Sequence, residues 1–220
     1  NIEGLLEQLN LYKLRSKVEI LNLSNEFVVA SISKEKFLEL SGSKDKTGHT
    51  VNFYHDPIFL DPRTSELGAR LIINLEKLYL SLKKLKLKSS NIDEYYQHSH
   101  NLGIPPKETQ QLQNKIFGIE CNFDKLNGID FKKGCYVGQE NTARINLKDK
   151  LNKRLFAINV VEGTFNDGDT ITFEKKEIGK IVINNKFSYA ILKYKEKIFN
   201  YDSEFVCGNA KIKIIKPIWL

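Results

Sequence analysis

Methionine is absent from the 220 residues, and only five of the 34 basic side chains are Arg. A chain without Met has no initiator of its own, so an N-terminal part is expected to precede Asn1. The scarcity of Arg makes Lys the default cation. Each guanidinium, at Arg15, Arg63, Arg70, Arg144 and Arg154, therefore stands out, because it presents a planar fork of donors that an ammonium cannot copy. Cysteine is scarce too. Cys121, Cys135 and Cys207 are odd in number, widely spaced and without a C-x-x-C pair, which excludes a disulfide framework or a self-contained zinc site and points to a reducing compartment. No apolar run approaches the roughly 18 to 20 residues that cross a bilayer, and no charged start leads into a short apolar stretch and a cleavage site, so neither a membrane span nor a secretory signal is expected. The sequences G-x-x-x-x-G-K-[ST], G-x-S-x-G, H-E-x-x-H and a strand-linked G-x-G-x-x-G are missing as well, which removes the nucleotide-cradling and zinc-hydrolase readings. His98 and His100 stand two apart, point to different faces of a helix, and are assigned surface or supporting roles.

What is present fits one large or two small globular domains: 41% of the residues are hydrophobic and 28% charged. The formal charge of +7 makes acidic partners, nucleic acid or a polyanionic cofactor, compatible with the chain. Ile2, Leu5, Leu6, Leu9 and Tyr12 recur at helical spacing, predicting an amphipathic helix over residues 2–14. Two strands are expected at Val18–Leu23 and Glu26–Ser33, and a β pair at Val51–Leu60 and Arg70–Ile73. A helix is expected over residues 75–88, its Lys83, Lys84, Lys86 and Lys88 forming a solvated face, and another from an N-cap at Ser90 or Asn91 to about Asn101, stopped by Gly103 and Pro105-Pro106. From about Leu151 the texture changes to short β-like runs separated by Gly-Asp and Asn-Asn turns, which reads as a small all-β barrel or sandwich of about 70 residues. The fold class is therefore α+β. The body is expected over residues 1–147 and a C-terminal β-barrel over residues 148–220.

The unusual stretch is Lys132-Lys133-Gly134-Cys135-Tyr136-Val137-Gly138-Gln139-Glu140, followed by Asn141-Thr142-Ala143-Arg144. Glycines around a thiol permit close backbone approach, and adjacent ammonium groups favour the thiolate. On chemistry alone such a cysteine is a nucleophile, a redox thiol, a soft-metal ligand or an inert packed side chain.

The run KGCYVGQE with its following TAR resembles the signature of the YgfZ-type folate-binding proteins, relatives of the aminomethyltransferase (T-protein) of glycine cleavage that include mitochondrial iron–sulfur assembly factors. LYKLRSKVEI, DPRTSELGAR, LGIP, ECNFDKLNGIDF and KRLFAI follow in the order that family shows. Ser99 stands where the family commonly has an Arg, four residues ahead of Gly103. The resemblance implies a T-protein-like folate-binding body, here without its N-terminal part, closed by the β-barrel. It implies tetrahydrofolate or a derivative as cofactor, with Glu120 facing the pterin, because a carboxylate accepts the paired N–H donors of the 2-amino-4-oxo edge. It assigns Cys135 as the working thiol, with Lys133, Gly134, Tyr136, Gly138, Gln139 and Glu140 completing the loop and Arg70 and Arg144 as further cofactor-binding candidates. Arg63 is read as a structural ion-pair partner of Asp61.

The leading function implied is an accessory factor for assembly or repair of iron–sulfur proteins. One isolated Cys cannot hold a cluster, so any cluster at Cys135 is shared with an assembly or client protein. The alternatives are an aminomethyltransferase-like one-carbon transferase and a tRNA-modification factor, the latter drawing on the +7 charge, the Lys83–Lys88 face and the cluster Lys148, Lys150, Lys153, Arg154. The compartment implied is the bacterial cytoplasm or the mitochondrial matrix.

Overall fold

The computed structural model describes residues 2–53, 55–135, 139–147, 151–196 and 199–220. The chain divides into two compact units, the first comprising Asn1–Leu60 and Gly68–Ser89, the second Asp61–Leu67 and Ser90–Leu220.

In the first unit, α1 (Ile2–Tyr12) is followed by β1 (Phe27–Ile32), α2 (Lys34–Leu38), β2 (Thr50–Phe53), β3 (Asp56–Leu60), β4 (Ala69–Asn74) and α3 (Leu78–Lys84). The four strands form one antiparallel sheet in the order β1-β4-β3-β2. Alternation in β4 sends Ala69, Leu71 and Ile73 into the core beside Ile58, Leu60 and Phe37, while Ile72 and its cross-strand partner Val29 stay on the solvent side. Gly68 joins the two units' chain segments at φ +80°, and a Cβ there would lie 2.1 Å from the carbonyl oxygen of Ile32, so this corner admits only glycine. Two expectations differ from the structure. Val51–Leu60 is not one strand but the hairpin of β2 and β3. Val18–Leu23 forms no strand: β1 already pairs with β4, and the carbonyls of Val18 and Leu23 are taken by Lys13 and by the amides of Glu26 and Phe27.

The second unit contains α4 (Ile92–Asn101), α5 (Gln139–Leu147) and strands β5 (Arg154–Glu162), β6 (Thr170–Phe173), β7 (Lys176–Ile183), β8 (Tyr189–Leu192), β9 (Glu204–Cys207) and β10 (Ala210–Ile214). Asn91 caps α4 by accepting the Asp93 amide, as its position predicts. The six strands close into a barrel in the order β10-β5-β8-β7-β6-β9; β9 is the strand that sequence periodicity misses. Phe156, Ile158, Ile171, Ile178, Ile181, Phe205 and Ile212 fill one core cluster. Gly179 on β7 allows β8 to approach, since a Cβ there would lie 2.1 Å from the Ile191 carbonyl oxygen. The start of β5 is buried on both faces. Phe156 and Ile158 belong to the main cluster, whereas Leu155 and Ala157 pack with Leu112 and Cys121 in a second one. Leu112–Asp124 is thus fastened to the barrel within one unit, and the expected body–barrel boundary at 147/148 lies beside residues 148–150, outside the described residues.

Candidate functional site around the cysteine loop

The run from Ile119 to Glu140 has two structural halves. The first is a chain of turns. Asn122 sits at φ +66° and is fully buried, its side-chain amide donating to the Leu155 carbonyl at 2.7 Å and its Oδ1 accepting from Arg154 at 3.0 Å. Asp124 receives both terminal nitrogens of Arg154, at 2.8 and 2.7 Å, and Arg154 also reaches the Ile119 carbonyl at 3.3 Å. Only 3% of Arg154 is exposed. This corrects its placement in a basic surface cluster, whose Lys148 and Lys150 lie outside the described residues. The Nε of Arg154 is buried without a hydrogen-bond partner, and the guanidinium lies 5.7 Å from the Tyr194 ring centroid. A forked buried pair of this kind costs several kcal/mol to break but little to keep, because desolvation of either charge is offset only by the other. Sequence reasoning singled out the rare arginines but did not join Arg154 to Asn122 and Asp124, some thirty residues earlier. Arg63 behaves as expected: it forks onto buried Asp61 at 3.0 and 2.8 Å and donates to the Tyr95 hydroxyl at 2.9 Å.

Glu120 lies half-buried on the same turns, and one carboxylate oxygen accepts the Phe117 amide at 2.8 Å. It therefore closes its own turn, a role not anticipated from the sequence. A carboxylate has about four lone-pair sites, so one accepted bond leaves most of its capacity open. The neighbouring Cys121 is buried, and burial, with the Glu120 charge adding, pushes its thiol up to about 11. Burial does the same to Cys207, with Asp169 adding, again to about 11.

The second half is open. An Asx turn, the Lys132 amide donating to Asp130 at 2.8 Å, leads into residues 131–135, all exposed. Cys135 is the exposed member of the three free cysteines, with Lys133 and Gly134 before it. A Cβ added at Gly134 would meet nothing within 4 Å, so the chain itself does not require glycine there. Tyr136 and Gly138 lie outside the described residues. Gln139 and Glu140 begin α5, where a carboxylate suits the helix N-terminus. Arg144 is paired with Glu140 at 2.5 Å on an exposed face of that helix. Arg70 is half-buried on β4, opposite Ser31 and Phe59, in the first unit, whereas Glu120 and the cysteine loop belong to the second.

Below α5, Ile145 and Asn146 join Ile119, Leu151, Arg154 and Tyr194 around a cavity of about 320 Å³. Neither Glu120 nor Cys135 lines it. Among the described residues no group of three or more His, Cys, Asp or Glu side chains is placed to hold a metal ion, and no helix is long and apolar enough to cross a membrane. His98 is exposed and bonds the Glu66 carbonyl at 2.7 Å. His100 is instead buried, its Nε2 at 3.1 Å from the Ser188 carbonyl.

Among the three free cysteines Cys135 is thus exposed, on a loop that carries Lys132 and Lys133, while Cys121 and Cys207 are buried. No family model matches the chain. It is 31% identical over 158 residues to the mitochondrial iron–sulfur cluster assembly factor IBA57 homolog of Dictyostelium discoideum, covering 71% of this chain and 38% of that protein. It is 30% identical over 125 residues to human IBA57, an iron–sulfur cluster assembly factor of mitochondria, covering 54% of the chain and 34% of that protein. It is 30% identical over 156 residues to the tRNA-modifying protein YgfZ of Buchnera aphidicola, covering 67% and 47%. The chain belongs to the YgfZ-type family of these homologues, and it spans less than half the length of each.

Proposed function

We propose that the protein is a folate-binding accessory factor for the assembly or repair of iron–sulfur proteins, working through Cys135. The observation that carries this reading is the exposure of Cys135 beside Lys133 in a homologue of iron–sulfur assembly factors, set against the burial of Cys121 and Cys207. Iron–sulfur clusters take four thiolates or substitutes. A cluster at this loop is therefore shared, with assembly or client proteins supplying the other ligands.

The folate reading requires a T-protein-like body that receives tetrahydrofolate or a derivative, with Glu120 at the pterin edge and Arg70, Lys133, Gly134, Tyr136, Gly138, Gln139, Glu140 and Arg144 around it. What supports it is the spare accepting capacity of Glu120 and the exposed, donor-rich loop ahead of α5. The cofactor supplies a one-carbon carrier; the chain's own groups accept pterin N–H donors and hold the thiol in the open. The working compartment is the mitochondrial matrix or the bacterial cytoplasm. A second reading, tRNA modification, rests on the YgfZ relative and the charge of +7. An aminomethyltransferase-like activity ranks behind both, because the KGCYVGQE loop resembles that of the non-transferase branch of the family.

Titration with tetrahydrofolate, followed by quenching of pterin fluorescence, tests the cofactor. Glu120→Ala is expected to weaken binding by more than about 1.5 kcal/mol, and unchanged affinity removes Glu120 from the site. In cells lacking the native protein, Cys135→Ser is expected to abolish recovery of iron–sulfur enzyme activity while folate affinity stays put. Full recovery by that variant rejects the role of the thiol.

A further inference from the structure

The sheet of the first unit carries a feature independent of Cys135 and of folate. Its order β1-β4-β3-β2 leaves β1 as an edge strand. The Leu75 amide donates to the Glu26 carbonyl at 2.8 Å, so these two residues occupy a hydrogen-bonded position of the β1–β4 register. An antiparallel ladder alternates such positions, which turns the amides and carbonyls of Val28, Ala30 and Ile32 toward β4 and those of Phe27, Val29 and Ser31 outward. The Phe27 amide is taken by the Leu23 carbonyl at 2.9 Å. Among the described residues, the Phe27 carbonyl and the backbone groups of Val29 and Ser31 make no bond outside the sheet. Natural sheets guard such an edge with a Lys, a Pro or a bulge. The run Phe27-Val28-Val29-Ala30-Ser31-Ile32 has no charge and no Pro, and its register with β4 runs without a shift. Its Val29 is 59% exposed, next to exposed Phe27 and directly across from exposed Ile72. The opposite edge, β2, is shorter and exposes Thr50 and Asn52 instead.

We infer that this edge pairs with the same edge of a second copy of the chain, β1 against β1, antiparallel about a two-fold axis at Val29. The outward groups select that register. With Val29 opposite its own counterpart, the two Val29 residues exchange N–H···O bonds, and each Ser31 amide meets the Phe27 carbonyl of the other copy. The Phe27 amide already spent on Leu23 falls at the end of this ladder, where only a Ser31 carbonyl goes without it and water can serve. On the solvent face the pairing joins Ile72 and Val29 of both copies into one apolar strip flanked by Phe27. On the other face it sets Val28 opposite Ala30 and covers these two half-buried members of the sheet's core cluster. With no charged residue in β1, no like charges meet across the seam. A second copy therefore fits this edge better than β2 does, whose Thr50 and Asn52 would stand against the apolar strip. An isologous pairing of this kind closes at two copies.

The test is sedimentation equilibrium of the 220-residue chain. It is read across roughly 1 to 300 μM, because two short edges make a small interface of the weak class. The mass is expected to rise with concentration from 25.4 kDa toward twice that value. Val29→Lys and Val29→Glu each set like charges opposite each other at the axis, and each is expected to weaken the dimer at least about tenfold. Mixed one to one, the two variants set Lys against Glu, and the mixture is expected to recover association to within about threefold of wild type. That recovery also shows that both variants are folded. Leu80→Lys, the same kind of change at an exposed position of α3, is expected to alter association less than about twofold. A chain that stays at 25.4 kDa throughout overturns the inference and leaves the edge to another strand, of which Val18–Leu23 is the nearest in sequence. A dimer indifferent to Val29→Lys, or variants whose mixture stays monomeric, overturns it too, because the axis then does not pass through Val29. Growth beyond two copies does the same, since the two-fold pairing closes.

Discussion

The two halves of the run from Ile119 to Glu140 are alike in sequence texture and opposite in structure. Residues 119–124 are fastened to the start of β5 by one arginine, with Asn122 fully buried and Cys121 nearly so. Residues 131–135 touch water throughout, and the thiol there stands free of the core. Both halves fall within the segments that resemble one family, yet the first half is bonded to the barrel and the second is open to solvent.

The sharpest break comes from Asp124. Asp124→Ala leaves the guanidinium of Arg154 buried and unpaired, and unfolding in urea is expected to show a loss of about 3–5 kcal/mol. Replacing both partners together, Asp124→Leu with Arg154→Met, is expected to recover much of that loss, as removal of a complete buried pair often does. A loss below about 1 kcal/mol for the single variant would mean that the two halves are held by something other than this pair.

The thiols sharpen the same contrast. A thiol pushed up to about 11 holds about two orders of magnitude less thiolate at neutral pH than an ordinary one. At limiting iodoacetamide, peptide mapping is expected to find Cys135 modified first, with Cys121 and Cys207 labelled only after denaturation. Earlier labelling of Cys121 would show that the first half opens in solution.

A smaller effect is expected at His100, which packs α4 against Tyr189 and Phe187. Its Nε2 donates to Ser188 and its Nδ1 is buried without a partner. Burial, only partly countered by the Ser188 bond, lowers its pKa below the ordinary 6.5. The folded state therefore takes up the proton later than the unfolded chain, so this contribution is complete above about pH 6.5 and shrinks as the pH falls toward the folded-state value. Melting temperatures between about pH 7.5 and 5 are expected to fall, and less so in His100→Phe. Parallel curves for the two proteins would remove His100 as the cause. The nearby ion pair of Lys186 with Asp93 is exposed and contributes little over this range.

The smallest effect is expected on α5, where Arg144→Ala breaks an exposed pair with Glu140 and is expected to cost no more than about 0.5 kcal/mol. If the same change weakens tetrahydrofolate binding several-fold, Arg144 belongs to the cofactor and not merely to the helix.

Local chemistry was readable directly from the residue order. Hydrophobic periodicity placed α1, the Asn91 cap with the Gly103 and Pro105-Pro106 stop placed α4, and alternation with Gly-Asp and Asn-Asn turns marked a β module after Leu151, because these depend on neighbours a few residues away. The ordered motifs carried the family. Other features needed the folded chain. Val18–Leu23 has strand composition, but a strand requires a partner edge, and β4 had already paired with β1. The closure of six strands, the inclusion of β9, the anchoring of Leu112–Asp124 on β5 and the burial of Arg154 all rest on contacts between residues far apart in sequence. A guanidinium written next to a lysine looks solvated until a carboxylate thirty residues away removes it from water, and only the tertiary structure sets that distance.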